Sequence, residues 1–379
     1  MSEVFGCEGV MVNQIPEISN EENILGEGTS GVTHKLTMDT KCKDVLEKVD
    51  DCDCMNINYP NIARKRVEDE KKVIQNEIDM LTLVRNIPNV NTYIGSTIDR
   101  TGADIYMEAC SGGDLFNIIA DKTETYDRVY PEDIIKRIMS TLFTAVAGLH
   151  KNLIVHRDIK AENIVLKKAR TDLNWPEHLQ IIDFGFARKL TTLEENIPQY
   201  IYNNAGKVIE KNAVGTPTYI APEVCLPEYL NYTSKCDVWS LTILMLLLLT
   251  GVPFYDLSYG RRRFGLYDVY KTFTTYAIMA KAEAIRETRK YLRDRAGITT
   301  LAISDNAILF ILSIMGKEES DRPTAEHALD HAWFHEDTVV EGAAATTVEG
   351  TAGASTEGGA FSQKYKKYKA KYKALHTRR

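Results

Sequence analysis

Seventeen consecutive residues, Val238 to Phe254, carry no charged side chain: "VWSLTILMLLLLTGVPF". A stretch of this kind leaves water either for a membrane or for the interior of a protein. It is short for a membrane span and it contains the helix-ending residues Gly251 and Pro253, so a buried core helix is the better interpretation. The sequence therefore predicts a helical core here and no transmembrane segment.

The rest of the pattern predicts two lobes. A chain of 379 residues exceeds the length at which a single core usually stops growing. Residues 24–105 show short strands interrupted by one helix over 68–85, and beyond Leu115 the pattern is mostly helical, with a helix starting at Pro131 and another over 304–315. The apolar residues at helical spacing in 68–85 are Val73, Ile74, Ile78, Leu81 and Val84. The predicted fold class is α+β, bilobal, with a small β-rich first lobe and a larger α-helical second lobe.

A charged turn lies between two apolar triplets in "IVHRDIKAENIVL", residues 154–166, a pattern typical of two strands joined by a tight polar turn. The turn offers a carboxylate that could act as a base, Asp158, and an ammonium group two residues later, Lys160. It also offers the amide oxygen of Asn163, which can bind a hard cation. These groups suit the transfer of an anionic group onto a nucleophile.

A second motif points to phosphate. "LGEGTSGVT" spaces Gly26, Gly28 and Gly31 as G-x-G-x-x-G, and the absent side chains let backbone amides approach phosphate oxygens. A dinucleotide-binding fingerprint requires a helix after the third glycine. Residues 32–36 have the pattern of a strand instead, so the phosphate loop is predicted to be a β-hairpin.

Taken in order, the motifs over residues 18–334 resemble those of the eukaryotic protein kinase family, serine/threonine subfamily. The stretch "IARK" is similar to the family's strand with the phosphate-binding lysine. The stretch "QNEIDML" is similar to the helix whose glutamate pairs with that lysine. The stretch "IYMEACSGGDLF" resembles the family's hinge. The stretch "HRDIKAEN" resembles its catalytic loop, and "IIDFGFA" resembles its metal-binding turn. The stretch "GTPTYIAPE" resembles the end of the family's activation segment. The stretch "DVWS" resembles the start of its central helix, and "DRPTAEHALDHAWF" resembles its closing helix.

This resemblance implies transfer of the γ-phosphoryl group of Mg-ATP to Ser/Thr hydroxyls of protein substrates. The implied catalytic residues are Asp158, Lys160, Lys65, Glu77 and Thr216. The implied Mg²⁺ ligands are Asn163 and Asp183. The implied ATP-binding residues are Leu25, Gly26, Glu27, Gly28, Thr29, Ser30, Gly31, Val32, Thr33, Ala63, Lys65, Met107, Glu108, Cys110, Asp114 and Val165. Lys160 and Thr216 resemble the Ser/Thr subfamily rather than tyrosine kinases.

Two alternatives stay open. A pseudokinase scaffold would bind nucleotide without turnover, and a kinase of another class would act on lipids or small molecules. The presence of every charged residue of the motif set argues against the first, and the peptide-platform resemblance over 216–223 argues against the second. Two departures, Thr33 in place of the usual Val and Thr242 in place of the usual glycine, are not expected to abolish catalysis.

The activation segment, 183–223, holds 41 residues and is longer than usual in the family, so regulation is expected there. Residues that could be modified are Thr191, Thr192, Tyr200 and Tyr202. Arg157 is expected either to bind a phosphate on this segment or to pair with Glu194 or Glu195. The resemblance also implies a buried ion pair between Glu223 and Arg322.

The predicted domain order is an N-terminal extension (1–17), an N-lobe (18–108), a C-lobe (109–334), a disordered linker (335–363) and a basic tail (364–379). An acidic insertion is predicted over 34–58; the spacing of Cys42, Cys52 and Cys54 matches no common zinc pattern, so no zinc is expected. The odd number of cysteines and the absence of an apolar leader predict an intracellular protein, cytoplasmic, nuclear or both.

The tail is the opposite of the body in charge. Its eight Lys and Arg without an acid divide a chain of net charge −7 into a +8 tail and a −15 remainder. As a helix, the tail would place Tyr365, Tyr368, Tyr372 and Leu375 on one stripe. Its alternatives are a solvated tail, a ligand for an import receptor, a membrane-binding or nucleic-acid-binding segment, or a segment that docks on the acidic body.

Overall fold

A computed structural model of the chain describes residues 3–5, 24–28, 31–37, 61–124, 130–168, 170, 174–204, 206, 208–226, 229–251, 272–273, 275–276, 279–296, 301–315 and 319–335. These residues separate into two compact units, one within 1–113 and 165–189 and the other within 114–164 and 190–379. The packing thus groups residues 165–189 with the first unit, whereas the sequence analysis divided the chain at one point. The lobe boundaries at 108 and 109 stay a prediction.

The first unit contains a six-stranded antiparallel sheet among its described residues, in the order β1-β5-β6-β4-β3-β2. Its strands are β1 Glu3–Phe5, β2 Ile24–Gly28, β3 Gly31–Thr37, β4 Asn61–Val67, β5 Tyr93–Ile98 and β6 Ala103–Glu108. In the register of β4, Lys65 lies between Thr33 of β3 and Ile105 of β6. The predicted β-rich first lobe is confirmed.

One helix, α1 (Lys71–Val84), lies between β4 and β5 in the chain. Of the apolar residues predicted to share its inner face, Ile74, Ile78, Leu81 and Val84 are buried. The prediction was wrong for Val73, which is 38% exposed. Glu77 is buried on the inner face instead, because its carboxylate has an ion-pair partner there.

The second unit contains most of the helices: α2 Leu115–Glu124, α3 Glu132–Lys151, α4 Pro222–Cys225, α5 Lys235–Thr250, α6 Lys281–Ala296, α7 Asp305–Ile314, α8 Ala325–Ala328 and α9 Ala332–His335. Every residue of α5 from Cys236 to Thr250 is buried, as predicted for the charge-free segment. The helix ends where Gly251 adopts a left-handed conformation, φ +66°. The unusual Thr242 is accommodated because its hydroxyl donates to the carbonyl of Val238, 3.0 Å away.

The remaining strands are short: β7 Ile154–Val155, β8 Ile164–Leu166, β9 Leu179–Ile181, β10 Arg188–Lys189, β11 Ile197–Pro198, β12 Tyr200–Tyr202, β13 Val208–Lys211 and β14 Asn231–Tyr232. Within the second unit β12 pairs with β13 and β11 with β14, both antiparallel. The long activation segment therefore contains a β-hairpin of its own.

Several predictions fall outside the described residues. Of the predicted insertion 34–58, residues 34–37 belong to β3, and the rest, with its three cysteines, is not described. Of the predicted linker 335–363 only His335 is described, as the last residue of α9, and the basic tail lies outside the described residues. In the part of the chain that the structure covers, no helix combines the length and the apolar character needed to cross a membrane.

Candidate active site

The glycine motif lies on a β-hairpin, as predicted. Strands β2 and β3 pair antiparallel, with Gly28 opposite Gly31 and Glu27 opposite Val32. Thr29 and Ser30, between the two strands, lie outside the described residues. The backbone from Gly31 onward continues as strand rather than helix, which separates this motif from a dinucleotide-binding unit.

The Lys65 side chain points at two carboxylates within the first unit. Its ammonium nitrogen lies 2.6 Å from Glu77 Oε1 and 2.9 Å from Asp183 Oδ1. Lys65 is only 7% exposed. Burial alone would lower the pKa of Lys65, but the charges of Asp183 and Glu77 outweigh burial and raise it above its usual value. The group is therefore cationic at physiological pH and is held in one orientation.

Asp183 follows β9 in a strained conformation. Its φ is +67°, in the left-handed region that few residues other than glycine adopt. Phe184, the next residue, is fully buried, and the carbonyl of Ala187 accepts a hydrogen bond from Asn76 of α1 at 3.1 Å. The turn is thus tied to α1 at Asn76, next to Glu77, and this bond helps to keep the strained carboxylate beside Lys65.

The predicted catalytic loop forms a hydrogen-bonded network within the second unit. Asp158 accepts hydrogen bonds from Lys160 Nζ at 2.6 Å and from the Thr216 hydroxyl at 2.6 Å, through different carboxylate oxygens. The Asn163 amide donates to the carbonyl of Asp158 at 2.9 Å. All four residues are buried. The structure therefore brings together four residues that span 59 positions of the sequence.

The predicted ion pair between Glu223 and Arg322 is confirmed. Two bonds, of 2.5 and 2.9 Å, join the guanidinium and the carboxylate, and both side chains are buried. The guanidinium carbon lies 4.9 Å from the centre of the Trp239 ring. This pair fixes α4, which directly follows Thr216–Ala221, to the C-terminal part of the unit.

Comparison with known proteins agrees with this geometry. The protein kinase domain family matches residues 19–334 of the chain. The chain belongs to the protein kinase family. Similar proteins include calcium-dependent protein kinase 6 of Plasmodium berghei (strain Anka), 29% identical over 314 residues that form 83% of this chain and 17% of that protein.

Two further relatives are more distant in identity but are matched over more of their length. Calcium-dependent protein kinase 29 of Arabidopsis thaliana is 28% identical over 82% of this chain and 47% of that protein. Serine/threonine-protein kinase 33 of Bos taurus is 26% identical over 86% of this chain and 57% of that protein. The kinase described here therefore spans between 17% and 57% of the length of these curated relatives.

The part of this kinase's predicted hinge that lies on β6 is buried. Met107 and Glu108 lie on β6, with Met107 opposite Ala63 of β4. The Glu108 carboxylate pairs with Lys167 at 2.8 Å. Burial raises the pKa of the Cys110 thiol to about 12, which keeps it protonated and unreactive at neutral pH.

Asp114 has a structural partner in addition to its predicted role beside the ribose. Its carboxylate accepts hydrogen bonds from the backbone N–H of Asn117 at 2.7 Å and from the Asn117 amide at 2.5 Å. An aspartate in this arrangement caps the start of α2. The ATP-binding roles of Asp114 and Val165 stay predictions.

Asp237 is a residue of the site that the sequence analysis missed. Its fully buried carboxylate accepts hydrogen bonds from the backbone N–H groups of His156 and Arg157 at 2.9 and 2.8 Å, and His150 Nε2 lies 3.0 Å away. Burial acts to raise the pKa of Asp237, but the His150 imidazole, the charge of His156 and these bonds outweigh it and lower the pKa. The "DVWS" motif contained the signal, since a charged residue that opens a buried helix needs a partner.

Replacing Asp237 with asparagine is expected to lower the free energy of unfolding by about 2–3 kcal/mol, because buried N–H groups lose a charged acceptor. The folded pKa of Asp237 lies below the unfolded one, so the stabilisation is present above the unfolded pKa and disappears as pH falls through the folded one. Urea titrations of parent and variant should therefore converge in acid. Equal stability at pH 7, with exposed Asp79→Asn as control, would contradict this role.

Arg157 is placed by Asp237 and by a close approach of the activation segment. Its φ is +67°, and a Cβ at Gly215 would lie 2.7 Å from its carbonyl oxygen, so only glycine fits there. The guanidinium donates to the Tyr232 hydroxyl at 3.1 Å. Glu195 accepts hydrogen bonds from the Thr191 N–H and hydroxyl at 2.6 and 2.7 Å. Both predicted roles of Arg157, phosphate binding and pairing with an acidic residue of this segment, stay predictions.

Glu162 is a second residue that the sequence analysis did not single out. It lies in the short helical turn over residues 161–163, and burial raises its pKa to about 7, with the charge of Lys160 opposing this rise. A carboxyl group that titrates near neutral pH at the catalytic loop is unusual, because exposed glutamates are fully ionised there. The sequence "KAEN" gives no sign of this shift, since burial comes from the surrounding fold.

Proposed function

We propose that this chain transfers the γ-phosphoryl group of Mg-ATP to serine or threonine hydroxyls of protein substrates. The observation that carries the proposal is the network around Asp158. One carboxylate oxygen already accepts an aliphatic hydroxyl, that of Thr216, while the other accepts the Lys160 ammonium. This is the arrangement that a base for a Ser or Thr hydroxyl requires, with a cation beside it to offset charge on the transferring group.

The first unit supplies the groups that suit the phosphates of ATP. Lys65 is a buried cation whose orientation is set by Glu77, and its second partner is Asp183. A cation held in this way stabilises negative charge more strongly than one in water. The backbone amides of the glycine hairpin serve the same purpose.

Each predicted magnesium ligand has a suitable donor atom. Mg²⁺ prefers oxygen ligands; Asp183 of the first unit offers a carboxylate and Asn163 of the second unit offers an amide oxygen, each of the chemical type that the ion prefers. When bound, the ion would neutralise charge on the β- and γ-phosphate oxygens. The Asn163 amide nitrogen donates to Asp158, which leaves its oxygen available for a cation.

Similarity to serine/threonine-protein kinase 33 of Bos taurus supports the choice of Ser/Thr specificity. The alternative of a scaffold without turnover gains no support from the described residues, in which Lys65, Glu77, Asp158, Asn163 and Asp183 are present and hydrogen-bonded.

For the basic tail we retain the sequence-based proposal of an import receptor, an anionic membrane or nucleic acid as partner in an intracellular protein. The +8 charge is compatible with all three.

The test is transfer of radiolabelled phosphate from Mg-ATP to a generic basic protein. The Asp158→Asn variant is expected to be slower by about 10²–10⁴-fold, because an amide cannot accept the substrate proton. Asp79→Asn, on the exposed side of α1, is the matched control and should keep the parent rate. Transfer by Asp158→Asn at the parent rate would contradict the proposed mechanism.

A further inference from the structure

Gln199 lies within the long activation segment, directly before β12. Its backbone N–H donates to the carbonyl of Leu230 at 2.9 Å. Its backbone carbonyl accepts from the N–H groups of Asn212 and Ala213, at 2.8 and 3.1 Å. The main chain of this one residue therefore joins the outgoing and the returning parts of the segment.

The side chain of Gln199 reaches a different place. Its amide nitrogen donates to the carbonyls of Glu223 and Leu226, at 2.8 and 3.0 Å. Glu223 lies in α4 and Leu226 directly follows it, where the last carbonyls of a helix need donors. The peptide platform is defined here as Thr216–Leu226, which includes α4. Gln199 is only 5% exposed, so water does not readily replace these bonds.

The same platform is held from the other side by the ion pair of Glu223 with Arg322. Gln199 thus binds the main chain of the platform, and Arg322 binds the Glu223 carboxylate. The position of Thr216–Leu226, which includes the Thr216 hydroxyl on Asp158, follows from both.

The hairpin beyond Gln199 is closed at its base. Residues 200–211 leave and return through the pair Tyr200–Lys211, next to the bond between Gln199 and Asn212. Residues 205 and 207 of this stretch lie outside the described part. Tyr202, opposite Val208, is 55% exposed, so the described part of the hairpin contributes little to the buried core.

We propose that Gln199 is a positioning residue that fixes the peptide platform, and that the hairpin 200–211 is not needed for this task. The inference rests on the proposed function, because it assigns to Gln199 the placement of the surface on which a substrate peptide would bind. Loss of the side-chain amide should loosen the platform without changing the residues that face ATP. Loss of the hairpin should leave the platform in place.

The first experiment replaces Gln199 with methionine in the full chain. Methionine keeps an unbranched side chain of similar length but donates no hydrogen bond. We expect KM for a Ser/Thr peptide to rise about tenfold, and KM for ATP to stay within about twofold of the parent. The matched control is Gln75→Met on the exposed side of α1, which should change neither constant.

The second experiment replaces residues 200–211 with Asn-Gly. Gln199 and Asn212 then become the first and last residues of a four-residue turn, and their existing hydrogen bond is the one that such a turn contains. We expect KM for the peptide to stay within about twofold of the parent. Adding Gln199→Met to this shortened chain should again raise it about tenfold.

Three results would overturn the inference. In Gln199→Met these are an unchanged KM for the peptide, or equal rises in KM for peptide and ATP. In the shortened chain it is loss of peptide binding. If the parent transfers no phosphate, the proposed function fails and hydrogen exchange still tests Gln199. Amides of residues 219–226 that are bonded within the platform should exchange about tenfold faster in Gln199→Met than in the parent or in Gln75→Met. Unchanged exchange would overturn the inference independently of activity.

Discussion

Replacing Asp183 with asparagine is expected to reduce phosphoryl transfer by at least about 10²–10³-fold while the protein stays folded. The substitution removes the charge that lies 2.9 Å from Lys65 and that would hold a magnesium ion. Asparagine tolerates the left-handed conformation that this position requires, φ +67°, so the backbone strain does not change. The measurement is the rate of transfer from Mg-ATP, together with a urea titration.

Two comparisons make this result specific. Asp79→Asn changes the same chemical group on the exposed side of α1 and should leave both rate and stability unchanged. A free energy of unfolding for Asp183→Asn within about 1 kcal/mol of the parent would show that the fold is intact, because the position is half-buried. An undiminished rate of phosphoryl transfer in a folded Asp183→Asn protein would contradict the proposed function.

Removing Arg322 is expected to have the largest effect on stability. Arg322→Ala leaves the buried Glu223 carboxylate without its partner, at a cost of about 3–5 kcal/mol in the free energy of unfolding. The substitution also removes the packing of the guanidinium over Trp239, where the separation is 4.9 Å. Urea denaturation of parent and variant measures the difference.

An exposed arginine gives the matched control. Arg286 pairs with Glu287 at the surface with 68% of its side chain exposed, so Arg286→Ala should cost less than about 1 kcal/mol. In a Glu223→Gln, Arg322→Ala double variant the stranded charge is gone, and part of the lost stability should return. A urea denaturation curve of Arg322→Ala that coincides with that of the parent would show that the ion pair does not stabilise the unit.

Local features of this kinase followed from the sequence because their physics is local. The strand pattern after Gly31 distinguished a β-hairpin from a dinucleotide-binding turn, and the structure has β3 there. The charge-free run from Val238 predicted a buried core helix, and α5 is buried from Cys236 to Thr250. Lys65, Glu77 and Asp158 were identified through motifs, and the first two indeed form an ion pair.

The errors and omissions arose where a side chain depends on a distant partner. Val73 has the spacing of an inner-face residue but is exposed, and Glu77 is buried near it because Lys65 neutralises its charge. Hydrophobic periodicity counts apolar side chains and does not show which charge will be paired.

What the sequence determined alone was the family, the order of the elements and the chemical types of the reacting groups, since these depend on residue identity and spacing. Only the tertiary structure showed that Asp237 holds the backbone of His156, 81 positions away, and that the Gln199 side chain binds the carbonyl of Glu223, 24 positions away. A buried carboxylate or amide must find donors or acceptors wherever the fold brings them. Because those partners are backbone groups, which every residue carries, no pattern of side chains along the chain reveals which ones will meet.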